Sequence, residues 1–176
     1  MVHIRRWIAL VIVIAVVLVV DQFTKAIVLA NLSVGESVQP IPALRDYFQI
    51  TLTENRGAAF GFLPQGGDIF LIIAFIVVIV MVFVYPRLES GQWAARIAVG
   101  MVCGGALGNA LDRLQHGAVI DFVHLQLPGV ISNVSNIADH AIVFGVLVML
   151  VSSWRGEIRQ KPTSETGANE LPSRSE

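Results

Sequence analysis

Residues 69–85 are almost wholly apolar, and this run constrains the fold more than any other stretch. At 1.5 Å per residue it makes ~25 Å of helix, just enough to span a bilayer core. Three more apolar blocks accompany it. The chain is 55% hydrophobic and 14% charged, whereas a soluble globular domain carries about 25% charged residues. The blocks therefore predict an all-α membrane protein, a four-transmembrane-helix bundle. The formal net charge of −1 leaves no basic face for nucleic acid. The one cysteine, Cys103, sits among glycines in an apolar helix, so no disulfide or CxxC pattern can form within the chain.

Arg5 and Arg6 precede the first block. A signal peptide would have a short apolar region and a small-residue cleavage site. Here the run passes straight into Asp21-Gln22-Phe23-Thr24-Lys25 and then resumes, so we read one retained helix over roughly 7–29. Residues 31–68 read as an outer loop or thin extramembrane layer, punctuated by Gly35, Pro40 and Pro42. Within it Phe48, Ile50 and Leu52 alternate with Gln49, Thr51 and Thr53, a strand period. Helix 2 covers 69–85 and stops at Pro86-Arg87. Helix 3 covers 94–113. A second outer loop covers 114–137 and turns at Pro128-Gly129, and helix 4 covers 138–154. Residues 1–155 form one membrane domain. Residues 156–176 are polar, with no apolar period, and read as a disordered tail.

Orientation follows from Lys and Arg near the helix ends. Arg5, Arg6, Arg87, Arg96, Arg155, Arg159 and Lys161 mark one side as cytoplasmic, with both termini inside. Asp21, Lys25, Asn55, Asn109, Arg113, Asp121 and Asp139 then all fall near the outer interface.

Asp121 and Asp139 lead the candidates for chemistry. Two carboxylates brought close share a proton and titrate as a pair, so one can activate water while the other protonates a leaving amine. Asn136-x-x-Asp139 also reads as a helix N-cap with an acid in the first turn, and Asp121 alone also reads as a solvent-facing loop residue. Asp21 and Lys25, spaced i, i+4, read as an ion pair at a helix end, compatible with bracing a site. Gly100, Gly104 and Gly108 form a small-residue ridge for close helix packing. Gly105, Asn109 and Arg113 form the adjacent line. Arg113 breaks the positive-inside bias, and either anchors the loop carrying Asp121 or binds an anionic lipid phosphate. Asn55 and Gly57 follow the strand and read as an ordinary turn or as a place where backbone approaches substrate. His116, His124 and His140 have no metal-ligand spacing.

Four motifs in order then resemble one family. They are Asp21-Gln22-x-Thr24-Lys25, Thr53-x-Asn55-x-Gly57-Ala58-Ala59-Phe60-Gly61, Gly104-Gly105-Ala106-x-Gly108-Asn109-x-x-Asp112-Arg113 with Gly117-x-Val119-x-Asp121-Phe122, and Asn136-x-Ala138-Asp139. Over residues 7–155 the chain resembles the bacterial lipoprotein signal peptidases (signal peptidase II). The resemblance implies a helix bundle with a small extracytoplasmic β-sheet cradle, in the bacterial inner membrane, with the active site near the outer face. It implies an aspartic endopeptidase, without cofactor or metal, that removes the signal peptide from prolipoproteins just before a diacylglyceryl-modified cysteine. It implies Asp121 and Asp139 as the catalytic pair. Asp21, Lys25, Asn55, Gly57, Asn109, Arg113, Asn136 and Ala138 are implied to line or brace the site. The implied partners are lipid-modified prolipoproteins, membrane lipid and globomycin-type inhibitors, with the enzyme a monomer. Two positions depart from the family pattern: Ser135, where the family usually has an aromatic residue, and His140, where it usually has a small or apolar one.

Two rival readings make different demands. A proton-coupled transporter also uses intramembrane carboxylates, but needs them near the midplane and usually has a repeat. The chain has no internal repeat. A serine–lysine peptidase would use Lys25, but no serine lies in a persuasive motif.

Overall fold

The computed structural model describes residues 2–57, 67–88 and 91–160. The motif residues Ala58, Ala59, Phe60 and Gly61, and the tail from residue 161, lie outside the described residues. Four long helices form the body: α1 (Val2–Asn31), α2 (Gly67–Val84), α3 (Trp93–His116) and α4 (Ile137–Gln160). Each contains a stretch long and apolar enough to cross a membrane. Most helix ends run one to several residues beyond the predicted ones, and α4 passes Trp154 to Gln160, whereas α2 stops at Val84, one residue short.

The stops have local causes. Pro86 cannot continue α2, and residues Tyr85–Arg87 tighten into a 3-10 turn. Helix α3 ends at Gly117, which takes φ 70° and donates its N–H to Arg113 O at 3.0 Å. A left-handed residue here closes the helix, and glycine adopts it without a Cβ penalty.

Helix α3 is the central element and the most buried of the four. Its glycines set that position. A Cβ at Gly100 would meet Val13 of α1 at 2.6 Å, and one at Gly104 would meet Val17 at 2.7 Å. The ridge predicted from the four-residue spacing therefore packs on α1. Gly105, on the neighbouring line, faces the Ala138 carbonyl and Ile142 at the start of α4. Helix α4 returns the contact through Gly145, against Ala98 O and Val102.

Beyond the C-terminal ends of α1 and α3 lies a four-stranded antiparallel sheet in the order β1 (Ser37–Val38), β2 (Phe48–Asn55), β3 (Val119–Leu127) and β4 (Ile131–Ser135). Strand β2 is the predicted one. Strands β3 and β4 occupy what reads in the sequence as the loop 114–137, turning at Gly129 (φ 76°). Alternation is hidden at the start of β3 because Val119, Ile120, Asp121 and Phe122 are all buried, on both faces. Leu52, Ile120, Phe122 and Val28 form a small core that seats the sheet on α1.

Between β2 and β3 the register shifts: Ile50 pairs with Val123, but Thr53 pairs with Asp121. Thr51 and Leu52 thus oppose Phe122 alone, a bulge-like irregularity. A one-residue slip reverses which face a side chain occupies. The shift is what puts Asn55, paired with Val119, on the same face as Asp121.

Candidate active site

Asp121 and Asp139 come from different elements and are brought together by two amides. Asn136 Nδ2 donates to Asp121 Oδ1 at 2.6 Å and to Asn109 Oδ1 at 3.1 Å. Asn109 Nδ2 donates to Asp139 Oδ1 at 2.7 Å. The line Asp121–Asn136–Asn109–Asp139 therefore links β3, the junction between β4 and α4, α3 and the first turn of α4. Asn55 Nδ2 donates to the other oxygen of Asp121 at 3.0 Å. The Gly57 N–H donates to Asn55 Oδ1 at 3.1 Å, which fixes which end of that amide faces the carboxylate.

The capping reading of Asn136 also holds. Its Oδ1 accepts the Asp139 N–H at 2.9 Å, so it caps α4 with one end of its amide and holds Asp121 with the other. Asp139 lies in the first turn of α4, where the helix dipole favours a negative charge.

The environments of the two carboxylates differ. Asp121 is buried, with 2% of its surface exposed. Burial is the largest influence on its carboxyl and, with the nearby Asp139 charge, pushes the pKa up to about 6 against the opposing amide hydrogen bonds. Asp139 is only partly buried. Its Oδ1 takes the Asn109 amide, and its Oδ2 accepts no hydrogen bond from the described residues. Both carboxylates line a cleft of about 920 Å³ with Asn55, Gly57, Asn109 and Arg113. Arg113 donates to Asn109 O at 3.1 Å and lies 5.4 Å over the Phe70 ring of α2.

Asp21 and Lys25 lie behind the cleft. Lys25 Nζ reaches Asp21 Oδ2 at 2.8 Å and Asp112 Oδ2 at 2.6 Å, all three side chains being buried. Gln22 Nε2 donates to Asp112 Oδ1 at 2.8 Å. The Ala138 N–H donates to Asp21 Oδ1 at 2.9 Å, and the Ile120 N–H to Asp112 Oδ2 at 3.1 Å. Ala138 contributes its backbone and a buried methyl, with no part in the cleft lining. The brace touches the site through Asn109, whose Oδ1 accepts from Lys25 Nζ at 3.3 Å. No serine hydroxyl is among the described partners of Lys25.

Asp112 and Gln22 stand in the sequence motifs without a site role assigned to them. The signal for Asp112 was there: it continues the Gly100, Gly104, Gly108 spacing and so faces α1 at the level of Lys25. Ser135 and His140, the two departures from the family pattern, touch each other at 3.3 Å between Oγ and Nε2. Neither position alone predicts that contact.

The family model for signal peptidase (SPase) II matches residues 13–155. The chain belongs to the signal peptidase II family. Its activity is that of a lipoprotein signal peptidase, an aspartic peptidase. The lipoprotein signal peptidase of Anoxybacillus flavithermus is 38% identical over 154 residues, covering 88% of this chain and 89% of that protein. That of Halothermothrix orenii is 36% identical over 146 residues, covering 83% and 95%. A bacterial membrane enzyme solved by the in meso method superposes with a TM-score of 0.78 at 28% identity, covering 90% of this chain and 94% of that one. A second such structure gives 0.73 at 30% identity, covering 82% and 92%. This peptidase thus has the predicted fold, four apolar helices with a small sheet at one end, in a multi-pass membrane protein.

Proposed function

We propose that this peptidase hydrolyses the signal peptide from diacylglyceryl-modified prolipoproteins just before the lipidated cysteine, with Asp121 and Asp139 as its catalytic pair. The observation that carries the reading is the amide line Asp121–Asn136–Asn109–Asp139 at the wall of one cleft. Asp139 serves as base, because its Oδ2 takes no hydrogen bond from the described residues and its surroundings are wetter. Asp121 serves as acid, because its carboxyl, pushed up to about 6, holds a proton nearer neutrality than an ordinary aspartate.

A water held between them gives its proton to Asp139, and its oxygen bonds to the scissile carbonyl carbon. The tetrahedral intermediate collapses as Asp121 delivers its proton to the amide nitrogen. The C–N bond breaks, leaving a carboxyl on the signal peptide and an amine on the cysteine. Passage of the proton from Asp139 back to Asp121 restores the pair. Asn55, Asn109 and Asn136 hold the carboxylates, while Gly57 and Arg113 line the cleft for the peptide and the acyl chains. The same cleft is the binding place for globomycin-type inhibitors. Both termini are cytoplasmic and the cleft opens at the outer face of the bacterial inner membrane, as the Lys and Arg distribution supports.

The deciding experiment uses purified, reconstituted enzyme and a diacylglyceryl-modified precursor. Cleavage at the normal rate by Asp121→Asn or Asp139→Asn would sink the assignment. Both variants should lose about 10²–10⁴-fold or more in kcat while remaining folded.

A further inference from the structure

The sheet carries a polar line of its own, on the face turned away from Asp121. Ser37 Oγ and Thr51 Oγ1 share a hydrogen bond of 2.8 Å, Thr51 Oγ1 and His124 Nδ1 one of 2.9 Å, and His124 Nε2 and Ser132 Oγ one of 2.8 Å. Each of the four strands gives one side chain to it. His124 and Asp121 are three residues apart in β3, so they point to opposite faces. None of the four is among the described residues that line the cleft. A hydroxyl can donate or accept, so the line closes with either tautomer of the imidazole.

Its place on β2 gives the line a task. Thr51 and Leu52 are the two residues of the register shift opposite Phe122, and each is anchored by a different chemistry. Leu52 is buried in the apolar core with Ile120 and Phe122. Thr51 is buried too, and its hydroxyl is held from both sides, by Ser37 of β1 and His124 of β3. Ile50 pairs with Val123, so in an unbroken register Leu52 would oppose Asp121 and Asn55 would face the other way. With the shift in place, Asn55 Nδ2 donates to Asp121 Oδ2 at 3.0 Å. We propose that Thr51 and His124 are positioning residues for peptide cleavage: they hold the register shift, and the shift keeps the Asn55 amide aimed at the Asp121 carboxyl. The inference rests on Asp121 as the acid of the reaction. When Asp121 gives up its proton, the carboxylate that forms meets a donor already in position, which stabilises the charge without reorganisation.

The test compares Thr51→Val, which keeps the shape of the side chain and removes its hydroxyl, with Thr51→Ser, which keeps the hydroxyl. Both are read in reconstituted full-length enzyme cleaving a diacylglyceryl-modified precursor. Thr51→Val should lower kcat about tenfold, the worth of one hydrogen bond to a charged group, and leave KM little changed. Thr51→Ser should stay near wild type. The alkaline limb of the kcat profile should move to higher pH in Thr51→Val, because the Asn55 amide favours the Asp121 carboxylate and a loosened amide favours the protonated acid. The charged and titratable groups that act on Asp121 or line its cleft are Asp139 and His140 of α4, Lys25 of α1, Arg113 of α3, and Glu54 and Arg56 beside Asn55, and Thr51→Val alters none of them. Asn55→Ala should move the limb the same way, and Thr51→Val should add nothing to it, since both act through one hydrogen bond. His124→Phe keeps a ring, removes both nitrogens and should lower kcat as Thr51→Val does. A Thr51→Val enzyme with the kcat and alkaline limb of wild type, even one that melts earlier, would overturn the proposal. So would a Thr51→Val effect that adds in full to Asn55→Ala, or a Thr51→Ser enzyme as slow as Thr51→Val. Failure of the aspartate assignment looks different: Asp121→Asn would then cleave normally.

Discussion

Two buried polar networks meet at Asn109, and they are built on opposite rules. Behind the cleft, Asp21 and Asp112 share Lys25, and all four of their carboxylate oxygens accept hydrogen bonds. At the cleft wall, Asp121 and Asp139 have amides as hydrogen-bond partners instead of a cation, and one oxygen accepts nothing from the described residues. The first network is sealed and electrostatically compensated, as a group must be to survive among membrane helices. The second joins two acids through amides, with no ion pair to either carboxylate among the described residues. Asn109 joins them with its two ends. Its oxygen faces Lys25, so its NH₂ must face Asp139. The brace thereby orients an amide of the site.

The sharpest way to break the comparison is to neutralise one charge in each network. Asp139→Asn should cost about 10²–10⁴-fold or more in kcat with a melting temperature close to wild type. Lys25→Met should act the other way, lowering stability by about 3–5 kcal/mol because two buried carboxylates lose their cation. Thermal unfolding in detergent, read beside single-turnover cleavage, separates the two. Lys25→Met combined with Asp112→Asn should recover part of the lost stability. If Lys25→Met leaves the melting temperature unchanged, the brace is no brace.

Next in size is a pH effect that belongs to the cleft alone. The Asp121 carboxyl rises from 3.8 to about 6 in the folded protein. Between those values the folded chain binds more protons than the unfolded chain, so stability falls as pH rises through the window. The drop amounts to at most about 3 kcal/mol. Asp121→Asn removes the titration and adds a pH-independent loss, because one neighbouring amide then lacks its acceptor. The stability difference between variant and wild type should therefore move in the variant's favour from pH 4 to pH 7. A difference that stays flat across that range, measured by thermal shift, would show that burial does not disfavour the Asp121 carboxylate.

The helices, their order and the polar residues gathered at one end were legible because membrane spans are written in length and hydropathy, which need no partner to read. The glycine ridge was legible for the same reason, although it did not name α1 as the helix it packs on. Strands β3 and β4 were not legible as strands. The start of β3 is buried on both faces, so it loses the alternation that marks a half-exposed strand, and the register shift opposite it obscures the pairing. Asp112 faces α1, but in the sequence it adjoins Arg113, whose charge against the positive-inside bias is the stronger signal at the end of α3. The link from Asp121 to Asp139 through Asn136 and Asn109 is not written in order along the chain, since it joins three elements and the β4–α4 junction by side chains alone.

The contact between Ser135 and His140 is the smallest test of the same comparison. It lies at the rim of the cleft, next to both Asn136 and Asp139, yet belongs to neither network. Ser135 is buried and directs its hydroxyl to Val123 O at 3.4 Å, so its lone pairs are left to accept from His140 Nε2 at 3.3 Å. Both distances are long, and His140 is exposed, which limits the worth of the pair to the lower part of the range of about 0.5–1.5 kcal/mol for a net hydrogen bond. Ser135→Ala and His140→Ala should each shift stability by no more than this, and the double variant should cost less than the two separately, the mark of a direct contact. Because Asn136 is independently held by Asp121, Asn109 and the Asp139 N–H, the amide line should survive both changes, and kcat should stay within about threefold of wild type, the equivalent of less than 1 kcal/mol in the barrier. A kcat loss approaching that of Asp139→Asn would mean that the rim contact positions the acids, and that the boundary between support and chemistry runs closer to the surface than Asn109.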